Sequence, residues 1–365
     1  VLPGLAVILG LSTLYAYYHE VGWVAGLFFG LKAAILAIVV EAVVRIGRRA
    51  LKTRFHRWVA LVAFLSLFAL ALPFPLVVLM AALAGLAEAR VLARKDMQEV
   101  PAEAATFGAG GGRRRLTRSL ATLLFWLLVW QAPLVPLWLL AGEGGLSDIF
   151  AFFSRMALVT FGGAYAVLAY VAQVAVVGFH WLRPGEMLDG LALAETTPGP
   201  LVLVLSYVGF LAGFREAGAL PAPAGGLLGG LLAAWATFVP SFIWIFAGAP
   251  HVERLRGNRM ITAALSAITA AVVGVILNLA VWFALHVLFA RVDQVRIWSF
   301  PSGVADGSQR PLLQLSLPGP DLASLDPAAL ALALFSAVMI FLLKQGMGRT
   351  LVAAAALGLA YRLIG

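Results

Sequence analysis

Two stretches of the chain place small, backbone-exposing residues in the middle of apolar sequence. They are Phe161-Gly162-Gly163, within the segment 148–179, and Thr196-Thr197-Pro198-Gly199-Pro200, within the segment 187–213. Glycine relaxes the backbone, and proline suits the first turn of a new helix. We therefore expect a helix to begin after each break, near Ala164 and near Pro200. The free N–H groups and positive dipole ends of two such helices would bind an anion, with the threonine hydroxyls as further donors.

The alternative is that both breaks are structural kinks, because glycine and proline are frequent in membrane helices. The two breaks are close in sequence, and only the short polar loop HWLRPGE joins their segments. This arrangement favours one shared binding site over two independent kinks.

Four charged residues lie within or beside apolar segments, where charge is costly and usually functional. Lys32, near the middle of the segment 22–46, could attract an anion or neutralise a carboxylate on another helix. Arg155 precedes the Gly-Gly break and is a second candidate to bind the anion. Asp189 and Glu195 repel a dianion, so we expect them to carry a coupling proton or to bond to the threonines or a helix end.

Composition identifies the setting of these residues. Of the 365 residues, 62% are hydrophobic and 12% are charged, whereas soluble domains carry roughly twice that share of charge. The ranges 58–87 and 262–290 contain no charged residue and are longer than the roughly 20 residues that span a bilayer. We predict an all-α polytopic membrane protein with apolar segments at 1–18, 22–46, 58–72, 74–88, 119–141, 148–179, 187–213, 225–249, 262–290, 327–343 and 350–364.

Several classes of function are excluded or disfavoured by residue content. The chain has no cysteine, its five histidines are scattered without ligand spacing, and no Gly-Lys pair of a phosphate-binding loop occurs. We therefore expect no metal, no cofactor and no direct use of ATP. The net charge of +9 indicates basic cytoplasmic loops facing anionic lipid rather than binding to nucleic acid.

The distribution of charge predicts which loops lie on which side. The range 45–57 holds six basic residues and no acid, and the range 90–118 is also basic, so both are expected in the cytoplasm. The uncharged run between them, with prolines at 73 and 75, should form a hairpin of two short helices; a kinked single span is the alternative. The range 291–326 has more aspartates than arginines and is expected outside, and 344–349 inside.

Weak internal similarity suggests two halves of opposite orientation. VLPGLAVILG at Val1 aligns with FVPSFIWIFA at Phe238, and at the same offset Ala33-Ala34 falls on Ala270-Ala271. Two similar halves with opposite sidedness are typical of secondary transporters. We predict a first half over 1–88, a cytoplasmic linker over 89–118 and a second half over 119–365, with 291–326 as an outer loop.

The order of these motifs resembles the chromate ion transporter family. The resemblance rests on TFGGAYAVLAYVAQ, WLRPGEMLDGLALAETTPGPL, FVPSFIWIFAGAPHVERLRGNR, AITAAVVGVILNLAVWFALHVLF and LFFGLKAAILAIV. It implies a transporter of the bacterial cytoplasmic membrane with two oppositely oriented halves, which exports chromate and handles sulfate. Long members carry a Phe-Gly-Gly and Pro-Gly-Pro pair in each half, whereas this sequence has only the second pair. We therefore expect that its first half is truncated.

Other functions remain open beside chromate export. A sulfate-type oxyanion permease or exchanger would use the same scaffold, because both ions are tetrahedral dianions. An intramembrane enzyme, such as a lipid-modifying transferase, is disfavoured by the absence of a metal-ligand helix motif or a Ser/His nucleophile arrangement. An inactive fragment is a further alternative. The partners expected are chromate, sulfate and membrane lipids, and a homodimer is left open.

Overall fold

The computed structural model of the chain describes residues 1–96, 112–140, 145–159, 163–216, 218, 220–256, 258–300 and 313–364. The helices are α1 Leu2–Tyr18, α2 Gly22–Ala50, α3 Arg54–Phe68, α4 Phe74–Asp96, α5 Gly112–Gln131, α6 Leu134–Leu140, α7 Leu146–Val159, α8 Ala164–Val171, α9 Pro184–Thr196, α10 Val204–Glu216, α11 Ala222–Arg256, α12 Arg259–Leu288, α13 Pro327–Ala337 and α14 Met347–Ile364. The strands are β1 Val292–Phe300 and β2 Leu313–Pro320. π-helical turns continue α8 over Ala172–Gly178 and α13 over Val338–Leu342, and 3₁₀ turns lie at Leu201–Leu203 and Leu322–Ser324.

Long apolar helices dominate the described part of the chain. Six of them are long and apolar enough to cross a membrane, within α2, α4, α5, α11, α12 and α14. These helices confirm the prediction of an all-α polytopic membrane protein. Pro73 lies between α3 and α4 and Pro75 lies in the first turn of α4, so the chain breaks at these prolines as the hairpin prediction required.

The structure extends or changes three predicted boundaries. Helix α4 runs to Asp96 and α5 begins at Gly112, so both ends of the predicted linker 89–118 are helical, and 97–111 lies outside the described residues. The predicted outer loop 291–326 contains the antiparallel pair β1–β2, with Val292 opposite Pro320. Charge counting could not reveal this hairpin, although the alternating leucines of LQLSL fit a strand.

The packing between helices follows the same pattern around the long helix of each predicted half. Helix α2 packs against α13 and α14, while α12 packs against α3 and α4, so each half's hairpin covers the other half's long helix. If Gly358 of α14 carried a Cβ, this atom would lie 2.6 Å from the carbonyl oxygen of Gly26. A Cβ at Gly85 of α4 would likewise lie 2.6 Å from the carbonyl oxygen of Ala263. Gly26 and Ala263 are separated by the same offset as the aligned prolines at 3 and 240. The same close contact thus occurs twice between the predicted halves, once on each long helix, in agreement with the predicted repeat.

The centre of the protein is formed by the shorter helices of the second half. Every residue of α10 from Val204 to Gly213 is buried, and so are most residues of α9. Helices α1, α2, α11 and α12 surround this pair. The polar residues carried by α9 are therefore held in the interior.

Candidate functional site

Helices α9 and α10 form a hairpin that turns back at Pro-Gly-Pro. Arg215 near the end of α10 donates from Nη2 to Glu186 Oε1 at 2.6 Å and from Nη1 to Glu186 Oε2 at 3.0 Å. If one helix continued through the break, these two residues would be about 40 Å apart at 1.5 Å per residue. The predicted break is present and a new helix follows it, and the structure adds that the chain reverses its direction at this break.

Helices α7 and α8 form a second hairpin at the Gly-Gly break. The ring of Phe152 in α7 lies 5.8 Å from that of Tyr170 in α8 and 6.0 Å from that of Phe179 beyond it. Gly163 precedes α8 with a φ of 100°, a backbone conformation that favours glycine. Phe161 and Gly162, both predicted to bind the anion, lie outside the described residues.

The tips of the two hairpins meet. The 3₁₀ turn Leu201–Leu203 packs against α8, so the chain that enters α10 lies beside the start of α8. Val202 lines one cavity together with Gly163, Ala164 and residues of α11 that include Ser241. The structure therefore brings the two predicted helix starts together at one place.

A second cavity lies on the other side of this contact and contains charged residues. It is lined by Ala42, Arg45, Ile46, Arg49, Tyr165, Glu195, Leu201 and Met347. The Tyr165 hydroxyl donates to Glu195 Oε1 at 2.7 Å. Arg45 pairs with Glu41 one turn before it, whereas Arg49 makes no ion pair with any residue that the structure describes. An exposed, unpaired cation thus stands beside both hairpin tips.

The residues at the Pro-Gly-Pro break and just before it differ in their exposure and in whether their hydroxyl groups are free to bind an anion. Pro198, Gly199 and Pro200 are exposed. The hydroxyls of Thr196 and Thr197 both donate to the Leu193 carbonyl, at 2.9 and 2.7 Å. Both hydroxyl protons are therefore committed to α9, and the threonines can offer an anion no hydroxyl proton in this arrangement.

Lys32 and Asp189 form an ion pair away from the tips, in which Asp189 is buried and Lys32 is half-buried. The Lys32 ammonium lies 3.1 Å from Asp189 Oδ2, and the Tyr15 hydroxyl donates to the same oxygen at 2.8 Å. Lys32 therefore neutralises a carboxylate on another helix, which was one of its two predicted roles. Arg155 is exposed on α7, and it lines neither of the two cavities at the tips.

Sequence reasoning missed Arg45 and Arg49, which it assigned to a cytoplasmic loop. Helix α2 runs on to Ala50, so both arginines are helical. The spacing of Ala42, Arg45, Ile46 and Arg49 is that of one helix face, and this signal was available in the sequence. Tyr15 and Tyr165 carried no comparable signal, because each one's partner lies far away in the chain.

Comparison with known proteins agrees with the motifs. A family model described as "Chromate transporter" matches residues 1–86 and 147–360. A chromate transport protein of Pseudomonas aeruginosa is 29% identical over 75% of this chain and 59% of its own length. One of Cupriavidus metallidurans is 24% identical over 76% of this chain and 60% of its own length.

A third relative, an uncharacterized transporter of Methanocaldococcus jannaschii, is 22% identical over 78% of this chain and 65% of its own length. The chain thus spans less than two thirds of the length of these relatives. No solved structure matches it.

Proposed function

Because the chain belongs to the chromate transporter family, we propose that it moves chromate across a membrane, with the anion bound where the two hairpin tips meet. The observation that carries this proposal is that the starts of α8 and α10 converge beside Arg45 and Arg49. Membership in a family of transporters also argues against the alternative that the chain is an intramembrane enzyme. We propose the bacterial cytoplasmic membrane as its location and leave the homodimer as a prediction.

The electrostatics of the tips suit a divalent anion. Each helix start contributes about half a positive charge, and Arg49 adds a cation that no described carboxylate neutralises. Arg45 is already paired with Glu41, and Glu195 is held by Tyr165. The attraction is therefore moderate, which allows release as well as binding.

We propose export as the direction of transport. When a dianion leaves a cell whose interior is negative, its electrical free energy falls by about 2.3 kcal/mol per charge per 100 mV, or roughly 4.6 kcal/mol for two charges at 100 mV. This fall corresponds to about a thousandfold concentration ratio. The membrane potential by itself can thus drive export, with no nucleotide.

Sulfate is the second candidate substrate. Chromate and sulfate are both tetrahedral dianions, and backbone N–H groups at helix starts bind oxyanions by charge and size. Competition between the two ions in one flux assay would measure the preference.

Chromate flux into or out of proteoliposomes, driven by an imposed membrane potential, tests the proposal. Arg49→Gln should reduce the flux about tenfold, because a cation at the binding site contributes roughly 1 to 2 kcal/mol through charge-assisted contacts. Arg48→Gln is the matched control, because Arg48 is the neighbouring arginine and does not line the cavity. Equal flux in wild type and Arg49→Gln would contradict the placement of the site, and no chromate flux in the wild type would contradict the function.

A further inference from the structure

The pair of Asp189 and Lys32 lies along the hairpin, away from its tip. Asp189 precedes Glu195 by six positions on α9, which places it about 9 Å from the tip region along the helix. The Asp189 side chain is 5% exposed, whereas that of Lys32 is 29% exposed. The Lys32 side chain is thus partly accessible, while the carboxylate beside it is enclosed.

One oxygen of the Asp189 carboxylate is left without a partner. Oδ2 is shared by Lys32 and Tyr15, but Oδ1 is buried and accepts no hydrogen bond from any residue that the structure describes. A buried carboxylate oxygen without a donor is costly, and native proteins rarely keep one without a functional reason. A proton bound at Oδ1 would remove both the charge and the unsatisfied acceptor.

The groups around Asp189 come from several helices. Tyr15 of α1, Lys32 of α2, Tyr207 of α10 and Glu186 of α9 itself act on it or on its partners. Helices α12 and α14 also pack against α9. Their charged or titratable residues are Arg259, His286, Arg349, Tyr361 and Arg362, whereas the ion pair of Asp189 is formed with Lys32 of α2. Lys32 is therefore the cation that balances this carboxylate.

We propose that Asp189 is the proton-binding site that couples anion binding to proton uptake. In the observed pairing, an anion that approaches Lys32 meets the negative charge of Asp189 at nearly the same distance. A proton taken from bulk water, which leaves hydroxide there, binds Oδ1 and converts the carboxylate into a neutral acid. The Lys32 ammonium beside it is then free to pair with the anion at a second binding position, about 9 Å along α9 from the tip site. One proton and one dianion bind together and carry a single net negative charge, so the membrane potential drives export of this pair with half the free energy that it supplies to the dianion alone. This inference rests on the proposed function.

Proton uptake can be measured directly. Chromate is added to the purified chain in weakly buffered detergent, at an alkaline pH where chromate is a dianion, and a pH indicator reports protons taken up. We expect about one proton per chromate bound in the wild type. Asp189→Asn should bind chromate with no uptake, and Asp189→Glu, which keeps a protonatable group, should retain uptake. Asp148→Asn is the matched control, because Asp148 is exposed at the start of α7.

The outcomes separate this inference from the proposed function. If the wild type binds chromate without proton uptake, or if Asp189→Asn takes up as many protons as the wild type, the coupling role of Asp189 is wrong and chromate transport still stands. If the wild type binds no chromate, the proposed function fails and this inference falls with it. Should Asp189→Asn not fold, the stoichiometry of the wild type and of Asp189→Glu decides the question.

Discussion

At the scale of single residues, the main finding is how charge is arranged within the apolar interior. The sequence left two roles open for Lys32, and the structure pairs it with Asp189 at 3.1 Å. A buried charge needs a partner because water is absent from its surroundings. The exposed and unpaired Arg49 stands beside the tips instead, where an anion can reach it.

Removal of the lysine tests this pairing. Lys32→Gln leaves Asp189 buried with Tyr15 as its remaining donor, and we expect a loss of about 3 kcal/mol in the free energy of unfolding, because loss of one partner leaves a buried charge uncompensated. The double variant Lys32→Gln/Asp189→Asn should regain most of this loss. Thermal unfolding in detergent measures both variants, with Lys52→Gln, an exposed lysine, as control. An unchanged unfolding temperature in Lys32→Gln would show that the pair adds no stability.

At the scale of elements, the two hairpins α7–α8 and α9–α10 form the proposed site. In each hairpin the chain reverses at a break of glycine or proline. In α9–α10 the Glu186–Arg215 ion pair joins the two helices at the end opposite the turn. Because both hairpins reverse near the same place, their second helices start close together. An anion site between them therefore depends on the turns and not on any basic side chain within α8 or α10.

Gly163 offers a direct test of the first turn. A Cβ at Gly163 meets no atom within 4 Å, but its φ of +100° is rarely adopted by other residues. Gly163→Ala should therefore destabilise the turn by about 1 to 3 kcal/mol through backbone strain alone, and chromate flux should fall with it.

Gly10→Ala is the matched control for this variant. Its Cβ also meets no atom within 4 Å, but Gly10 lies inside helix α1. Alanine in a helix is about 0.5 to 1 kcal/mol more favourable than glycine, so Gly10→Ala should keep full flux. If the two variants behave alike in unfolding and flux measurements, the conformation of Gly163 is not important for the site.

At the scale of the whole molecule, the packing of α2 with α14 and of α12 with α4 agrees with the predicted repeat of two halves. The same small-residue contact is made at Gly358 and at Gly85. Each half supplies a hairpin that covers the long helix of the other half. The two halves are therefore interlocked in one fold.

Cysteine labelling tests the topology, because the chain has no native cysteine. If both central hairpins enter from one side and return to it, the loop that joins them lies on the outer side. Arg183→Cys should then react from the same side as Asp293→Cys, and Lys52→Cys from the opposite side. All three positions are exposed. If Arg183→Cys reacts together with Lys52→Cys, the segments cross the membrane and the hairpin arrangement is wrong.

The sequence by itself determined the class of protein and the two breaks, and it predicted the internal repeat. Long uncharged apolar runs indicate membrane spans, because the free energy of transferring such a segment from water to the bilayer depends on its composition. Glycine and proline interrupt a helix through local backbone chemistry that acts wherever they occur. These properties belong to single residues or short segments, so a sequence displays them without any knowledge of distant neighbours.

Only the tertiary structure decided what the breaks and charges do. After a break the chain can continue or reverse, and here contacts such as Glu186 with Arg215 accompany the reversal, between residues that are far apart in the sequence. The partner of Lys32 lies on α9 and the cavity beside Arg49 includes α8, so both depend on how helices pack. In an apolar interior a charge is stabilised by whatever group stands next to it in space, and that neighbour is set by the whole fold.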